Sequence, residues 1–369
     1  MEDRKKRTEI ASMGEFGLIK HLTENLPDPN ESTLKGVGDD AAILNYNNGK
    51  RVLVTTDLLM EGVHFNLAYC PLKHLGYKSA VVNFSDIYAM NGTPKQITVS
   101  LAFSKKFAVE DIDELYAGIR IACEQYGVDI IGGDTSSSLT GLAISITCIG
   151  EADPDKVVCR NTAGNTDLIC VTGDLGAAYM GLLFLERENK VFMQTGLRPD
   201  SDDADFAAKS YIIQRQLKPE ARKDIIEALA RINVVPTSMM DISDGLSSEL
   251  LHICKQSNVG CRIYEDRLPI DYQTAVMAEE VNMNVSTVAL HGGEDYELLF
   301  TVPLEMNDVF QNLKGIKVIG HTTKPELGCC LIGRDGLEHN IVAQGWNAFP
   351  EKEESNDNDE AEDDSELKS

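Results

Sequence analysis

Ile10, Met13, Phe16 and Leu22 fall at helical spacing, and Pro27 and Pro29 close the segment, so the pattern predicts a leading helix over residues 9–26. Two apolar runs then abut acidic residues. Ala41-Ala42-Ile43-Leu44 follows Gly36-Val37-Gly38-Asp39-Asp40, and Val52-Leu53-Val54 precedes Thr55-Thr56-Asp57. Both read as strands. Leu72 to Met90 reads as a long helix carrying Gly76, Ser79 and Ala80, with Asn83 and Asp86 a turn apart. Ile97 to Phe103 alternates like a strand, and Ile112, Leu115, Ile119, Ala122 and Tyr126 trace one face of another helix. Val128 to Ile131 predicts a strand that ends in Gly132-Gly133-Asp134-Thr135, and Leu142 to Ile149 predicts a further one. Strands and helices thus alternate through residue 150, which points to an α/β or α+β unit.

A second unit begins near Val157. Asp167 to Gly173 is strand-like and passes through Gly176 into an apolar helix from Ala177 to Leu185, while polar residues from Arg187 to Asp203 read as a surface excursion. Helices around 207–217 and 223–232 precede Met239-Met240-Asp241-Ile242-Ser243-Asp244-Gly245-Leu246, where a helix starts. His291-Gly292-Gly293-Glu294-Asp295 turns into a strand from Tyr296 to Val302. The expected division is therefore 1–155, 156–350 and a tail, 351–369, too acidic and too poor in apolar residues to pack.

Charge narrows the function classes. The formal net charge of −25 argues against a nucleic-acid binder, which needs a basic footprint. The tail carries −8 of it and leaves −17 for the body. An apolar content of 43% with 25% charged residues is that of a soluble globular protein. Nine cysteines without a CxxC pair suggest reduced thiols in a cytosol, and the charged start Met1 to Arg7 leads into no apolar signal region. No apolar run reaches membrane-spanning length, so the expectation is a cytoplasmic protein with neither nucleic-acid nor membrane partners.

Acidic residues recur at element ends: Asp39/Asp40, Asp57, Gly133-Asp134, Asp241/Asp244 and Glu294, with Asp86 on a helix. Each alone has a plain structural reading, Asp244 as a helix N-cap and Gly133-Asp134 as a turn. Together they form an oxygen-ligand set for a hard cation such as Mg²⁺, which is usually held by a few carboxylates plus substrate phosphates. If they converge, each like-charged pair near 4 Å costs on the order of 4 kcal/mol at an effective dielectric of about 20, so convergence implies metals. The chain has no GxxxxGK[ST], no GxSxG and no paired zinc ligands, which leaves magnesium-assisted phosphoryl transfer as the best class.

Seven blocks carry a family resemblance: Gly36 to Ala42, Thr55-Thr56-Asp57, Glu61 to Phe65, Asn83 to Asp86, Ile131 to Thr135, Asp241 to Leu246 and Gly292 to Leu298. In this order the chain resembles the thiamine-monophosphate kinases, members of the aminoimidazole-ribonucleotide synthetase superfamily, over residues 9–349. The resemblance implies a two-domain α/β (α+β) architecture, with an N-terminal domain that dimerises through its sheet and a C-terminal α/β domain. It implies transfer of the ATP γ-phosphate to thiamine monophosphate by a homodimer, with several Mg²⁺ ions. By matching motif, Asp40, Thr55, Thr56, Asp57, Asp86, Asp134, Asp241 and Asp244 would serve the metal, with Asp57, Asp86 and Asp244 at the catalytic centre. Gly133, Asp134, Arg160 and Ser243 would contact ATP, and Tyr116 its base, although Tyr116 equally fits a buried helix face. His64, Glu294 and Trp346 would contact the thiamine end; the sole tryptophan offers a face to a cationic ring, or packs as a tail residue.

Ser136-Ser137 and Tyr88 depart from the family pattern, the first at a bulkier polar pair and the second at a small position. The alternatives are another ATP-dependent member of the superfamily or a non-catalytic ATP-binding sensor. Hydrogenase-maturation relatives need a C-terminal cysteine, whereas the last cysteines here are Cys329 and Cys330. Selenophosphate synthetases need an N-terminal one, yet the first here is Cys70. A sensor would have lost a carboxylate, and none is lost.

Overall fold

The computed structural model describes residues 14–24, 30–46, 49–196, 204–311 and 313–343. Two units are distinguished, one of residues Met1–Pro27 with Asn347–Ser369 and one of Asp28–Trp346. Helix α1, Gly14–Thr23, is the described part of the first. Trp346 and the acidic tail lie outside the described residues.

In the larger unit, strands β1 (Thr33–Lys35), β2 (Ala42–Leu44), β3 (Arg51–Met60), β4 (Thr93–Phe103), β5 (Asp129–Ser137) and β6 (Ala143–Ala152) form a six-stranded sheet in the order β1-β2-β3-β6-β4-β5. All neighbours are antiparallel except β4 and β5. Helices α2 (Leu72–Ala89) and α3 (Val109–Tyr126) pack on it. A seven-stranded sheet follows, ordered β13-β12-β9-β11-β7-β10-β8, from β7 (Leu168–Thr172), β8 (Ser238–Ile242), β9 (Gly260–Tyr264), β10 (Glu297–Val302), β11 (Ile316–Thr323), β12 (Cys329–Ile332) and β13 (Glu338–Asn340). Its helices are α4 (Ala177–Thr195), α5 (Ala204–Ala208), α6 (Ser210–Leu217), α7 (Lys223–Arg231), α8 (Leu246–Ser257), α9 (Tyr272–Glu280), α10 (Val285–His291) and α11 (Asn307–Phe310). The chain is mixed α/β, as expected, and none of its described helices is long and apolar enough to cross a membrane.

Two expectations need correction. The strand predicted to end in Gly132-Gly133-Asp134-Thr135 stays regular through these residues and runs on to Ser137, because β5 pairs with β4 through Ser137 opposite Phe103. Gly133 permits this approach: a Cβ there would lie 1.8 Å from the Val99 carbonyl oxygen. The polar run after Leu185 is not a loop at its start, since α4 continues through Arg187, Glu188 and Lys190 to Thr195. Straight-chain charged residues lose little rotamer freedom in a helix, so polarity alone did not mark an end.

Helix α2 has no polar face. Nearly every side chain from Leu75 to Ala89 is buried, including Lys78, Ser79, Asn83 and Ser85. A helix apolar or internally satisfied all round belongs inside a protein, and α2 contacts β3, β4 and β6 of the first sheet and β8 of the second. Tyr88, the departure from pattern, is taken into this core, 1% exposed and tilted against Tyr126. The α2–α3 contact is backbone-close. A Cβ at Gly76 would sit 1.9 Å from the Leu115 oxygen, and one at Gly118 would sit 1.9 Å from the Lys73 oxygen.

Gly118→Ala should therefore destabilise the protein by about 1–3 kcal/mol through overpacking, whereas Gly132→Ala, where a Cβ meets nothing within 4 Å, should stay within roughly 1 kcal/mol of wild type. Denaturant unfolding of both variants measures this. Equal stability of the two would show that the helices can separate at no cost.

Candidate metal and phosphate site

Strand alternation aims the first ligands. Along β3, Leu53, Thr55 and Leu59 are buried, while Thr56 and Leu58 are exposed on the other face, so Asp57 shares the α2 side with Thr55. The Thr56 hydroxyl donates to the Ile146 carbonyl at 3.1 Å and is not brought to the cluster. On β8, Met240 and Ile242 pack into the core beneath α8, while Met239 packs on the opposite face with Ala89 of α2. Asp241 alternates onto that α2 side.

There the carboxylates converge. One oxygen each of Asp40, Asp86 and Asp241 lies within 4.8 Å of the other two. Thr55 Oγ1 donates to Asp86 Oδ2 at 2.5 Å, and Ser85 Oγ donates to Asp241 Oδ2 at 2.6 Å. Arg160 Nη2 pairs with Asp40 Oδ1 at 2.8 Å, while Asp40 Oδ2 is buried with no hydrogen-bond partner. Asp39 takes the Arg160 backbone N–H at 2.8 Å and an ion pair from Lys35. Asn83 Oδ1 accepts the Asp57 N–H at 3.2 Å and so ties β3 to α2.

Burial pushes Asp40 up to about 7, with Asp241 and Asp39 adding to the rise and Arg160 opposing it. Burial likewise raises Asp57 to about 6 and Asp241 to about 6, the latter opposed by the Ser85 hydrogen bond. Asp86 is raised well above the carboxylate range by burial and then by Asp57, Asp241 and Asp40. The group thus carries less compensating charge than its carboxylates need. A hard divalent cation fits it: the donors are all oxygen, and one buried carboxylate oxygen, Asp40 Oδ2, has no hydrogen-bond partner.

The remaining candidates are placed around this group. Asp244, in the turn before α8, gives its N–H to Glu249 Oε1 at 2.8 Å and adds negative charge beside Asp241. Ser243 uses its carbonyl to accept the Glu294 N–H at 2.6 Å. Glu294, with a left-handed φ of 63°, pairs with Lys78 at 2.8 Å and takes Gln216 Nε2 at 2.9 Å. His64 Nδ1 accepts the Met60 N–H at 3.0 Å, so Nε2 bears the proton of the neutral ring. Asp134 is exposed on β5, its carboxylate accepting the Thr135 N–H at 2.9 Å, and is not one of the converging three. Tyr116 packs half-buried on the first core.

Sequence reasoning missed Lys78, Ser85 and Glu249. The mixture of polar and apolar residues in Lys78-Ser79-Ala80-Val81-Val82-Asn83-Phe84-Ser85-Asp86, with no stripe, was a signal that the polar ones have internal partners. Glu249 carried no such signal. It sits on α8, 1% exposed, raised well above its usual range by burial and by Asp244.

The family model described as AIR synthase related protein, N-terminal domain, matches residues 38–152. Thiamine-monophosphate kinase of Bacillus subtilis (strain 168) is 35% identical over 342 residues, covering 91% of this chain and 100% of the relative. That of Aquifex aeolicus (strain VF5) is 34% identical over 307 residues, covering 83% and 92%. The solved structure of AaThiL complexed with AMPPCP and TMP superposes with a TM-score of 0.79 at 32% identity, covering 93% of this chain and 99% of that one. With this much of both chains aligned, and with Asp40, Asp86 and Asp241 gathered at one point, the chain belongs to the thiamine-monophosphate kinase family.

Proposed function

We propose that this protein transfers the γ-phosphate of ATP to thiamine monophosphate, giving thiamine diphosphate and ADP, at the carboxylate group of Asp40, Asp86 and Asp241 with Asp57 and Asp244 beside it. The convergence of those three carboxylates carries the reading. These carboxylates would hold Mg²⁺, which would supply charge neutralisation between two anionic phosphates. Thr55 and Ser85 hold Asp86 and Asp241 in place, and Arg160 offers a permanent cation on the same side. By motif, Gly133, Asp134, Arg160 and Ser243 are assigned to ATP and His64, Glu294 and Trp346 to thiamine monophosphate, with Tyr116 a candidate for the nucleotide base; Lys78 and Gln216 position Glu294. We read the division between the two sheet regions at residues 155 and 156, within the connection from β6 to β7.

No general base is required. The acceptor phosphate has its second ionisation at about pH 6, so near neutrality its oxygen attacks without losing a proton to a side chain. Steady-state kinetics should show thiamine diphosphate formed from thiamine monophosphate and MgATP, and no phosphorylation of free thiamine. Asp57→Asn and Asp244→Asn should lower kcat by at least about a hundredfold, with partial rescue at high Mg²⁺. His64→Gln should act mainly on the KM for thiamine monophosphate. ATP turnover without thiamine diphosphate would sink the activity. A His64→Gln enzyme dead at saturating substrate, beside near-normal Asp variants, would sink the metal-driven mechanism.

Proton linkage tests the metal assignment separately. Asp40, Asp57 and Asp241 are raised in the folded chain to between about 6 and 7, against about 3.9 when unfolded. The folded state therefore binds the extra protons, and without metal their contribution to stability is lost as pH rises from about 4 through 7. Mg²⁺ competes with those protons. It should raise Tm by several degrees at pH 8 and by much less at pH 5, since a hundredfold excess over Kd is worth about 2.7 kcal/mol. A shift that is equal at both values, or that survives in Asp57→Asn, would remove these carboxylates from the metal site.

A homodimer through the first sheet is supported by β5, an edge strand exposed along its whole length, and by the exposed side chains of Leu58 and Ile131. Light scattering on wild type should give twice the chain mass, and Leu58→Lys combined with Ile131→Lys should give the monomer. A monomeric wild type refutes it.

A further inference from the structure

At the end of α8 remote from Asp244, the thiols of Cys254, Cys261 and Cys329 meet, each pair of Sγ atoms lying within 4.8 Å. They come from three separate elements, α8, β9 and β12. The backbone explains the meeting. β12 runs parallel to β9 with Cys329 opposite Cys261, so the two side chains share one sheet face. α8 turns into β9 through the left-handed Asn258, and the Val259 N–H bonds back to the Cys254 carbonyl at 2.9 Å, which lays Cys254 over that face. Cys254 and Cys261 are buried in the core beneath α8, while Cys329 is partly exposed and opens the triad to solvent.

Buried cysteines often serve as small apolar residues, and Cys123, Cys148 and Cys170 show that use here. Convergence of three sulfurs separates this group from them. Metal–sulfur bonds of about 2.3 Å place sulfurs ~3.8 Å apart in a tetrahedral site and ~4.0 Å apart in a trigonal one, so small side-chain rotations suffice. Arg262, its guanidinium paired with Glu338 at 3.0 Å, donates from Nη1 to the carbonyls of Cys261 at 2.9 Å and Gly328 at 3.1 Å and so braces the backbone under the triad. Among the described residues, no His, Asp, Glu or fourth Cys joins the group within the same radius. An all-sulfur donor set disfavours Mg²⁺ and selects a soft cation.

We propose that Cys254, Cys261 and Cys329 form a thiolate site for a closed-shell thiophilic cation, Zn²⁺ or Cu⁺, distinct from the carboxylate site. Binding exchanges three thiol protons, released to solvent, for one ion. Because α8 follows Asp244 directly and carries Glu249, occupancy ties the far end of that helix to the second sheet.

The test uses the full-length reduced protein under anaerobic conditions in saturating Mg²⁺, titrated separately with Zn²⁺ and with Cu⁺. Elemental analysis after gel filtration and the number of reactive thiols are the readouts. The expected result is a single equivalent of one ion retained, with three thiols protected; the arm that retains it identifies the ion. Cys329→Ser and Cys254→Ala should each weaken retention at least about tenfold, and Cys330→Ser should not change it. Cys329→Ser should melt like metal-free wild type, which excludes misfolding as the cause. The site is refuted if wild type retains neither ion, or if both triad variants retain as much as wild type. It is also refuted if mild oxidation joins two of the three as a disulfide in a protein that retains no ion, which would make the triad a thiol switch.

Discussion

Carboxylates crowded inside a protein repel, and the structure around Asp40, Asp86 and Asp241 is organised to hold them together regardless. Burial makes the repulsion dearer, since at an effective dielectric of about 20 each ionised pair near 4 Å is worth on the order of 4 kcal/mol. Arg160 compensates Asp40, but Asp86 and Asp241 receive hydroxyl hydrogen bonds from Thr55 and Ser85, which orient without neutralising. The cluster is therefore a local debt of stability that packing elsewhere must offset.

That packing is centred on α2. Four of its polar residues reach different neighbours: Lys78 to Glu294, Asn83 to the backbone of Asp57, Ser85 to Asp241 and Asp86 to Thr55. A rotation or slide of this helix would break all four at once. Gly76 and Gly118 prevent it by letting α2 and α3 touch through their backbones, where little compliance exists. The helix thus sets the distance between β3 and β8, and with it the separation of the carboxylates.

Most elements were legible because strand alternation and helical spacing report burial directly, as with the face of α3 or the run in β6. Where sequence and structure part, the cause is shared: local composition marks an end that tertiary pairing overrides. Gly132 and Gly133 lie inside β5 because β4 pairs across them, and Arg187 to Thr195 stay helical because their polarity costs a surface helix nothing. At the site, the acidic blocks were legible as motifs, but which three meet depends on the register of two sheets against one helix. The orientation of Thr56 was within reach from the sequence, since adjacent strand residues point to opposite faces. Glu249 was not, because nothing local distinguishes it from an ordinary first-turn glutamate.

Raised pKa values at Asp40, Asp57 and Asp241 invite a second reading, that one of them is a general base poised near neutrality. The causes of the shifts argue otherwise. Burial is the first cause at each of these carboxylates, and at Asp40, Asp86 and Asp241 the charge of their neighbours adds to it, so several rise together and none is set apart. Such a group behaves as one charge-accepting site, and a nearby cation reverses the shift of every member. The chemistry points the same way, because an acceptor that is already an ionised phosphate gives a base no proton to remove. Under the proposed reaction two anions must be brought together; carboxylates alone would repel them, and the compensation would come from the cation that this costly cluster of carboxylates is suited to hold.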